Sequence, residues 1–243
     1  MKLFVALALA LLALALPGSV SGGTQITVLA AASLTNVFLR IDGGERYGFA
    51  GSDQLALQLR EGAPADVYAS ASSRYTQLLY RDGLLLKPAL FATNKLIVLV
   101  PRSNPAKIRS VYDLRRSGVK IVIGDSSVPV GIYTRRILDT LGITAEVAKN
   151  VVSQETDVKG IVSKIALGEA DAGFVYRTDA KPVASHTRSI ALPAWAQPPI
   201  RYELAVVKAS KHRAAARAFV SKVLSKRGRL LLAKAGFGLP KRP

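Results

Sequence analysis

Four short stretches share a pattern that suits the binding of an anion. Each has an apolar strand-like run, a turn of small residues and the start of a helical pattern: Ile26 to Ser33, Phe49 to Ser52, Ile121 to Val130 and Val151 to Val158. Each would place a helix N-terminus at the carboxyl end of a strand, where free N–H groups and the helix dipole attract negative charge. Several such ends could together enclose one oxyanion without a charged side chain.

Residues for enzyme chemistry are few. The chain has no cysteine, which excludes disulfides and thiolates, and its two histidines, His186 and His212, stand apart in polar surroundings. HExxH, GxSxG, Walker and GxGxxG motifs are all missing. Glycoside hydrolysis by a carboxylate pair stays open, although nothing selects a pair among the 16 acidic residues. We therefore expect no enzymatic activity and no cofactor.

The first residues read as an export signal. Lys2 precedes an unbroken apolar run, Leu3 to Leu16, and small residues suited to cleavage follow it. The run is shorter than the roughly 20 apolar residues that span a bilayer. We predict that residues 1–21 are a cleaved signal peptide and that the protein acts in the periplasm or on the outer face of the cytoplasmic membrane. Retention of the segment as an anchor is the alternative.

The chain is strongly basic, with 34 Lys and Arg against 16 Asp and Glu and a net charge of +18. Such a charge could bind DNA, anionic lipid or cell-wall polymer, or draw small anions toward a cleft. The basic residues are spread along the chain without interleaved aromatics, which favours a solvated surface over a nucleic-acid site. An anionic-polymer binder at the cell surface remains the rival class of function.

Strands alternate with helices along the whole chain, which predicts an α/β fold with mostly parallel sheets. Glycines follow the helical runs, as expected of C-terminal caps. The predicted strands are Ile26–Ala31, Asp66–Ser70, Lys95–Val100, Val119–Ile123, Ala172–Tyr176 and Tyr202–Val207. The predicted helices include Ser52–Arg60, Gly131–Leu141, Val158–Leu167 and one long helix over Ala214–Ala235.

The motifs themselves resemble those of the periplasmic molybdate-binding proteins of ABC transporters. The resemblance covers nearly all of the chain after the signal, in order. It is carried by Ala30–Asn36 (AAASLTN), Phe49–Leu55 (FAGSDQL), Gly62–Val67 (GAPADV), Gly124–Tyr133 (GDSSVPVGIY), Thr156–Gly160 (TDVKG) and Gly173–Ala180 (GFVYRTDA).

The resemblance implies a two-lobed, type II periplasmic-binding-protein fold, each lobe a mostly parallel sheet flanked by helices. With crossings near 91–94 and 201–203, we expect residues 24–93 and 203–243 to form lobe one and residues 94–202 lobe two. The family binds its anion through the hydroxyls and N–H groups of two serines, two backbone N–H groups and a tyrosine hydroxyl. These positions match Ser33, Ser52, Val130, Val158 and Tyr176.

The resemblance further implies capture of molybdate or tungstate and delivery to the permease dimer of an ABC transporter. Molybdenum would be held only as the oxyanion, with no direct bond from protein to metal. Sulfate or another tetrahedral oxyanion is the alternative ligand. A monomer is expected, without a nucleic-acid partner and without stable membrane insertion once the signal is removed.

Two details are less typical of the family. Residues 40–47 form an abbreviated link where the family has a longer first helix followed by a strand. Asp53 and Asp157 flank proposed contacts, and we expect both to be first-turn helix acids that face away from the ligand. A carboxylate inside the pocket would instead favour a protonated ligand such as hydrogen phosphate.

Overall fold

The computed structural model describes residues 24–241, so the predicted signal peptide lies outside the described residues. The strands are β1 Thr27–Ala31, β2 Arg46–Ala50, β3 Val67–Ser70, β4 Ala89–Asn94, β5 Leu96–Pro101, β6 Ile121–Gly124, β7 Val151–Glu155, β8 Ala172–Tyr176, β9 Thr187–Ala191 and β10 Ile200–Val206. The α-helices are α1 Thr35–Ile41, α2 Ser52–Arg60, α3 Ser73–Arg81, α4 Pro129–Leu141, α5 Thr144–Ala148, α6 Val158–Ala166, α7 Arg177–Ala180, α8 Arg213–Leu224 and α9 Lys226–Ala235.

These elements form two lobes, each built on one sheet of five strands. The first lobe has the order β2-β1-β3-β10-β4, and α1, α2, α3, α8 and α9 pack around its sheet. The second lobe has the order β7-β6-β8-β5-β9, with α4, α6 and α7 against its strands and α5 against α4. The predicted two-lobed α/β fold is confirmed. Among the described residues, no helix is long and apolar enough to cross a membrane.

Both sheets are mixed, and in this respect the description "mostly parallel" needs correction. In the first lobe β1 pairs in parallel with β2 and β3, whereas β10 runs antiparallel to β3 and β4. The second lobe repeats this arrangement, with β6 parallel to β7 and β8, and β5 antiparallel to β8 and β9. The antiparallel pairings in both lobes come from the strands that lead into or out of the lobe crossings.

The chain passes between the lobes twice. It leaves the first sheet at the end of β4 and enters the second at the start of β5, with only Lys95 between them. It returns in β10, whose first residue Ile200 already pairs with Asn94. Residues 200–202 thus belong to a strand of the first sheet. The division into 24–93 plus 203–243 and 94–202 stays a prediction.

Local sequence signals explain the helix ends. The predicted helix over Ser52–Arg60 has the bounds of α2, and α4 and α6 agree closely with their predictions. Gly142 follows α4 with a φ of 68°, a left-handed conformation in which a side chain would be strained.

The long helix expected over Ala214–Ala235 is wrong, since it is divided into α8 and α9. Ser225 adopts an extended conformation between them, and its hydroxyl accepts the N–H of Gly228 at 3.1 Å. Serine competes for backbone hydrogen bonds and so favours a cap over a helix interior.

The region between Leu34 and Ser52 is less abbreviated than the motif comparison indicated, because α1 and β2 occupy most of it. The strand expected in the family is therefore present. Four strands are missing from the predicted set, namely β2, β4, β7 and β9, and each lies at the edge of a sheet. For β2 and β7 the sequence predicts only strand-like runs in two of the four anion-binding stretches. In β9 only Thr187 is buried, so the apolar pattern that identifies a strand is weak there.

Candidate functional site

The four strand–turn–helix stretches meet at one cavity between the lobes. The first lobe supplies the turns after β1 and β2, and the second lobe supplies the turns after β6 and β7 and the end of β8. All five residues predicted for the site line this cavity, namely Ser33, Ser52, Val130, Val158 and Tyr176. Among the described residues that line it, none is Lys or Arg.

Small residues form much of the wall, including Ala31, Ala32, Ala50, Gly51 and Ala71. Their short side chains let the backbone come close to a bound group. Backbone N–H groups are therefore available as ligands in addition to the side chains.

Three helix starts point at the cavity. Ser52 and Val158 are the first residues of α2 and α6, and Val130 is the second residue of α4 after Pro129. N–H groups in the first turn have no acceptor within their own helix. They also lie at the positive end of the helix dipole. The cavity is thus suited to negative charge although no cationic side chain lines it.

The Ser52 hydroxyl is held as a donor by its neighbours. Its oxygen accepts the N–H of Ala71 at 3.1 Å, which leaves the hydroxyl proton free for another acceptor. The Ser52 carbonyl accepts the Tyr68 hydroxyl at 2.7 Å, which fixes the start of α2. Both hydrogen bonds are buried.

Tyr176 carries the clearest sign of a missing partner. Its side chain is 2% exposed, and its hydroxyl has no hydrogen-bond partner among the described residues. A buried hydroxyl without a partner costs free energy, so such groups usually serve a ligand or a water. Burial raises the pKa of Tyr176 well above its ordinary value, and the nearby Tyr202 and Asp179 raise it further. The hydroxyl therefore keeps its proton at neutral pH.

The two acidic residues singled out from the sequence do not present free carboxylates to the cavity. Asp157 lines it, but its carboxylate caps α6 by accepting the N–H of Lys159 at 2.6 Å and of Gly160 at 3.3 Å. Asp53 accepts the Ser127 hydroxyl at 2.7 Å, which joins the first lobe to the second. Its other oxygen is buried without a partner among the described residues.

Other contacts also hold the lobes together around the cavity. The Tyr75 hydroxyl of the first lobe donates to the Ser127 carbonyl of the second. In the opposite direction, the Tyr133 hydroxyl donates to the Ala71 carbonyl at 3.4 Å. The two lobes are thus closed on each other in this structure.

Several residues around the cavity were missed in the sequence. Tyr202 of β10 forms a 3.0 Å hydrogen bond with Ser33, and Asn94 of β4 lies next to Tyr202. Lys159 forms a 2.9 Å ion pair with the buried Asp179 beside the site. No local motif marks Tyr202 or Asn94, because strand pairing across the lobe crossing brings them to the site.

The fold and the shared cavity define a class: two-lobed binding proteins that close on a small ligand. A family model described as bacterial extracellular solute-binding protein matches residues 46–238. The chain belongs to this family.

Its relatives include the protein named molybdate-binding protein ModA of Mycobacterium tuberculosis, which is 40% identical over 92% of this chain and 88% of the relative. This match confirms the resemblance stated from the motifs.

Solved structures show the same fold. The periplasmic molybdate-binding protein of Azotobacter vinelandii matches with a TM-score of 0.79 at 22% identity, covering 89% of this chain and 100% of that one. The sulfate-binding protein SubI of Mycobacterium tuberculosis matches with a TM-score of 0.78 at 18% identity, covering 90% and 88% of the two chains. At these identities the likeness concerns the fold alone.

Proposed function

We propose that this protein is an extracytoplasmic substrate-binding protein that captures molybdate or tungstate between its lobes and delivers it to the permease of an ABC transporter. The observation that carries the proposal is that three helix N-termini, the turn after β1 and the Tyr176 hydroxyl, which has no partner among the described residues, converge on one cavity. The 40% identity to a molybdate-binding protein supports the choice of anion.

In this proposal every ligand contact is a hydrogen-bond donor. Ser33 and Ser52 donate their hydroxyls and N–H groups, Val130 and Val158 donate N–H groups, and Tyr176 donates its hydroxyl. A site of donors suits a fully deprotonated dianion. It disfavours hydrogen phosphate, whose O–H would be buried without an acceptor at a cost of about 1–3 kcal/mol.

Size distinguishes molybdate and tungstate from sulfate. All three are tetrahedral dianions, but sulfate is smaller, so donors placed for the larger ions would be too far from its oxygens for good hydrogen bonds. Binding requires no catalytic group and no cofactor. We propose that the protein acts as an exported monomer, with its lobes as the surfaces that meet the permease.

A thermal-shift series with molybdate, tungstate, sulfate and phosphate tests the proposal. A ligand present at 100 times its Kd should stabilise the folded protein by about 2.7 kcal/mol. Molybdate and tungstate should stabilise at far lower concentrations than sulfate, and phosphate should be weakest. Equal stabilisation by all four anions, or by none, would contradict the assignment.

Salt dependence separates this function from the binding of an anionic polymer. A buried site for one ion is screened only weakly, whereas binding to many phosphates weakens steeply as salt rises. Molybdate affinity should therefore change little when sodium chloride is raised. A steep loss of affinity would favour the rival class.

A further inference from the structure

A chain of hydrogen bonds runs from the lobe crossing to the candidate site. The Lys95 N–H donates to Asn94 Oδ1 at 2.9 Å, and Asn94 Nδ2 donates to the Tyr202 hydroxyl at 3.4 Å. The Tyr202 hydroxyl in turn lies 3.0 Å from the Ser33 hydroxyl. Asn94 Nδ2 also donates to Thr178 Oγ1 of the second lobe at 3.0 Å, so these hydrogen bonds involve both lobes.

The Lys95 N–H fixes the orientation of the Asn94 side-chain amide. Because a backbone N–H can only donate, Asn94 must present its oxygen to Lys95 and its NH₂ to Tyr202. The Tyr202 oxygen then accepts from Asn94. Either hydroxyl can donate in the 3.0 Å contact between Tyr202 and Ser33, and the arrangement that we propose has Tyr202 as the donor. With Tyr202 as the donor, the Ser33 proton is available for the cavity and the Ser33 oxygen is already engaged.

Packing keeps Tyr202 in this position. Its side chain is fully buried, and its ring meets the rings of Phe91, Tyr176 and Phe237 edge-on, at centroid distances of 6.1, 5.8 and 5.3 Å. Burial raises the pKa of Tyr202 well above its ordinary value, and nearby Asp179 raises it further, so the hydroxyl remains protonated.

We propose that Tyr202 is a positioning residue which, oriented by Asn94, holds the Ser33 hydroxyl as a donor and so selects fully deprotonated tetrahedral oxyanions over protonated ones. The proposal rests on the proposed function in that it takes the cavity to hold such an anion. Without Tyr202, Ser33 could turn its oxygen toward a ligand O–H, and the discrimination would weaken.

The test compares sulfate with hydrogen phosphate at mildly alkaline pH, where both are tetrahedral dianions and only one carries a proton. Tyr202→Phe removes the donor to Ser33 and keeps the buried ring. We expect it to weaken sulfate binding by about 2- to 10-fold, the range of one hydrogen bond. Phosphate binding should weaken less, so the ratio of phosphate to sulfate affinity should rise by about threefold.

Two further variants show whether the change acts through Ser33. In a Ser33→Ala background, Tyr202→Phe should leave the phosphate-to-sulfate ratio unchanged, because residues that act through one contact are not additive. Tyr47→Phe is the matched control, since the Tyr47 hydroxyl donates to the Asp42 carbonyl and lies outside the cavity lining. It should leave the ratio as in the wild type.

Asn94→Asp tests the same chain of hydrogen bonds without changing Tyr202. An aspartate oxygen in place of Nδ2 would accept the Tyr202 proton and draw it away from Ser33. The added negative charge should weaken both dianions alike, so the affinity ratio isolates the effect on the ligand proton. We expect the ratio to rise as in Tyr202→Phe, which keeps the test valid should the tyrosine variant fold poorly.

The outcomes separate this inference from the proposed function. Equal weakening of sulfate and phosphate in Tyr202→Phe and Asn94→Asp, or the same change in ratio with Ser33→Ala present, would overturn the role of Tyr202. A wild-type protein that binds sulfate and phosphate but not molybdate would instead refute the proposed ligand, and the role proposed for Tyr202 would be unaffected. A wild-type protein that binds none of the three would overturn both.

Discussion

At the scale of single residues, the candidate site divides its donors between side chains and backbone. Ser33, Ser52 and Tyr176 offer hydroxyls, and Val130 and Val158 offer only N–H groups. The hydroxyl donors differ in the other hydrogen bonds that they form within the protein. Ser52 accepts a buried N–H from Ala71, whereas Tyr176 has no partner among the described residues. Their removal should therefore have different effects on stability.

Tyr176→Phe should weaken molybdate binding by about 10- to 100-fold, because a hydrogen bond to a charged group contributes about 1.5–3 kcal/mol. The unliganded protein should lose no stability, since no hydrogen bond within the described chain is broken. Titration calorimetry measures the first effect and thermal unfolding the second. A variant that bound molybdate as tightly as the wild type would place the ligand elsewhere.

Ser33→Ala and Ser52→Ala should weaken binding by a similar factor, about 10- to 100-fold, while their N–H groups remain. Ser52→Ala should in addition lower the free energy of unfolding by about 1–3 kcal/mol, because it leaves the buried N–H of Ala71 without its acceptor. The comparison needs both calorimetry and thermal unfolding. Wild-type affinity in both serine variants would refute the site.

At the scale of elements, the proposed binding groups lie at helix starts. α6 begins directly after Asp157, which has the extended backbone of an N-cap, with φ −156° and ψ 171°. Its carboxylate caps the N–H groups of Lys159 and Gly160. The N–H of Val158 is not used by this cap, and Val158 lines the cavity. In the proposed site, one helix start thus serves both the fold and the ligand through different N–H groups.

Val158→Pro separates these two roles. Proline is well tolerated at the first position of a helix, and the extended Asp157 before it is compatible with a following proline. The fold should therefore survive while the N–H donor is lost, and molybdate binding should fall by at least about tenfold. Val158→Ala keeps the N–H and should bind almost normally. Equal affinities of the two variants would exclude a contact from this N–H.

At the scale of the whole molecule, function depends on how closely the lobes approach. A ligand that contacts both lobes binds the closed state better, and only this difference in affinity can shift the open–closed equilibrium. Gly51 lies where the two lobes approach each other closely. A Cβ placed on it would lie 2.5 Å from the Thr156 carbonyl oxygen of the second lobe and 2.6 Å from Asp53 Oδ1.

Gly51→Ala should therefore hinder closure. The φ and ψ of Gly51, −58° and 137°, are accessible to alanine, so the backbone itself is not strained. Overpacking of this kind costs about 1–3 kcal/mol and should weaken molybdate binding by roughly 10- to 100-fold. Gly44→Ala is the matched control, with its nearest neighbour 3.7 Å away. Unchanged affinity in Gly51→Ala would show that the lobes need not approach this closely.

Small-angle scattering should show the wild-type protein becoming more compact when molybdate is added. The expectation follows from donors in both lobes, since an open cleft cannot bring Ser52 and Val158 to one ion. Gly51→Ala should compact less at saturating molybdate. An unchanged radius of gyration in the wild type, with binding established by calorimetry, would contradict closure.

The sequence by itself determined the local structure around the site. Small-residue turns, helix starts and glycine caps act over a few residues, so α2, α4 and α6 could be located. The five residues that the motifs predicted for the site all line the cavity. These signals act between residues close in the sequence, so they can be recognised without knowing which distant residues they will contact. The division at Ser225 is local as well, but the apolar pattern of α8 and α9 outweighed one serine in the prediction.

Only the tertiary structure decided what lies between those motifs. Edge strands β4 and β9 carry weak periodicity, and the antiparallel direction of β5 and β10 depends on how the chain crosses between lobes. Tyr202 lies 169 residues from Ser33 and Asn94 lies 108 residues from Tyr202, so their hydrogen bonds arise from strand pairing. The residue types that supply the proposed donors could thus be identified from short stretches of sequence. Their orientation could not, because it is set by contacts among residues far apart in the sequence that meet only when the first sheet has formed.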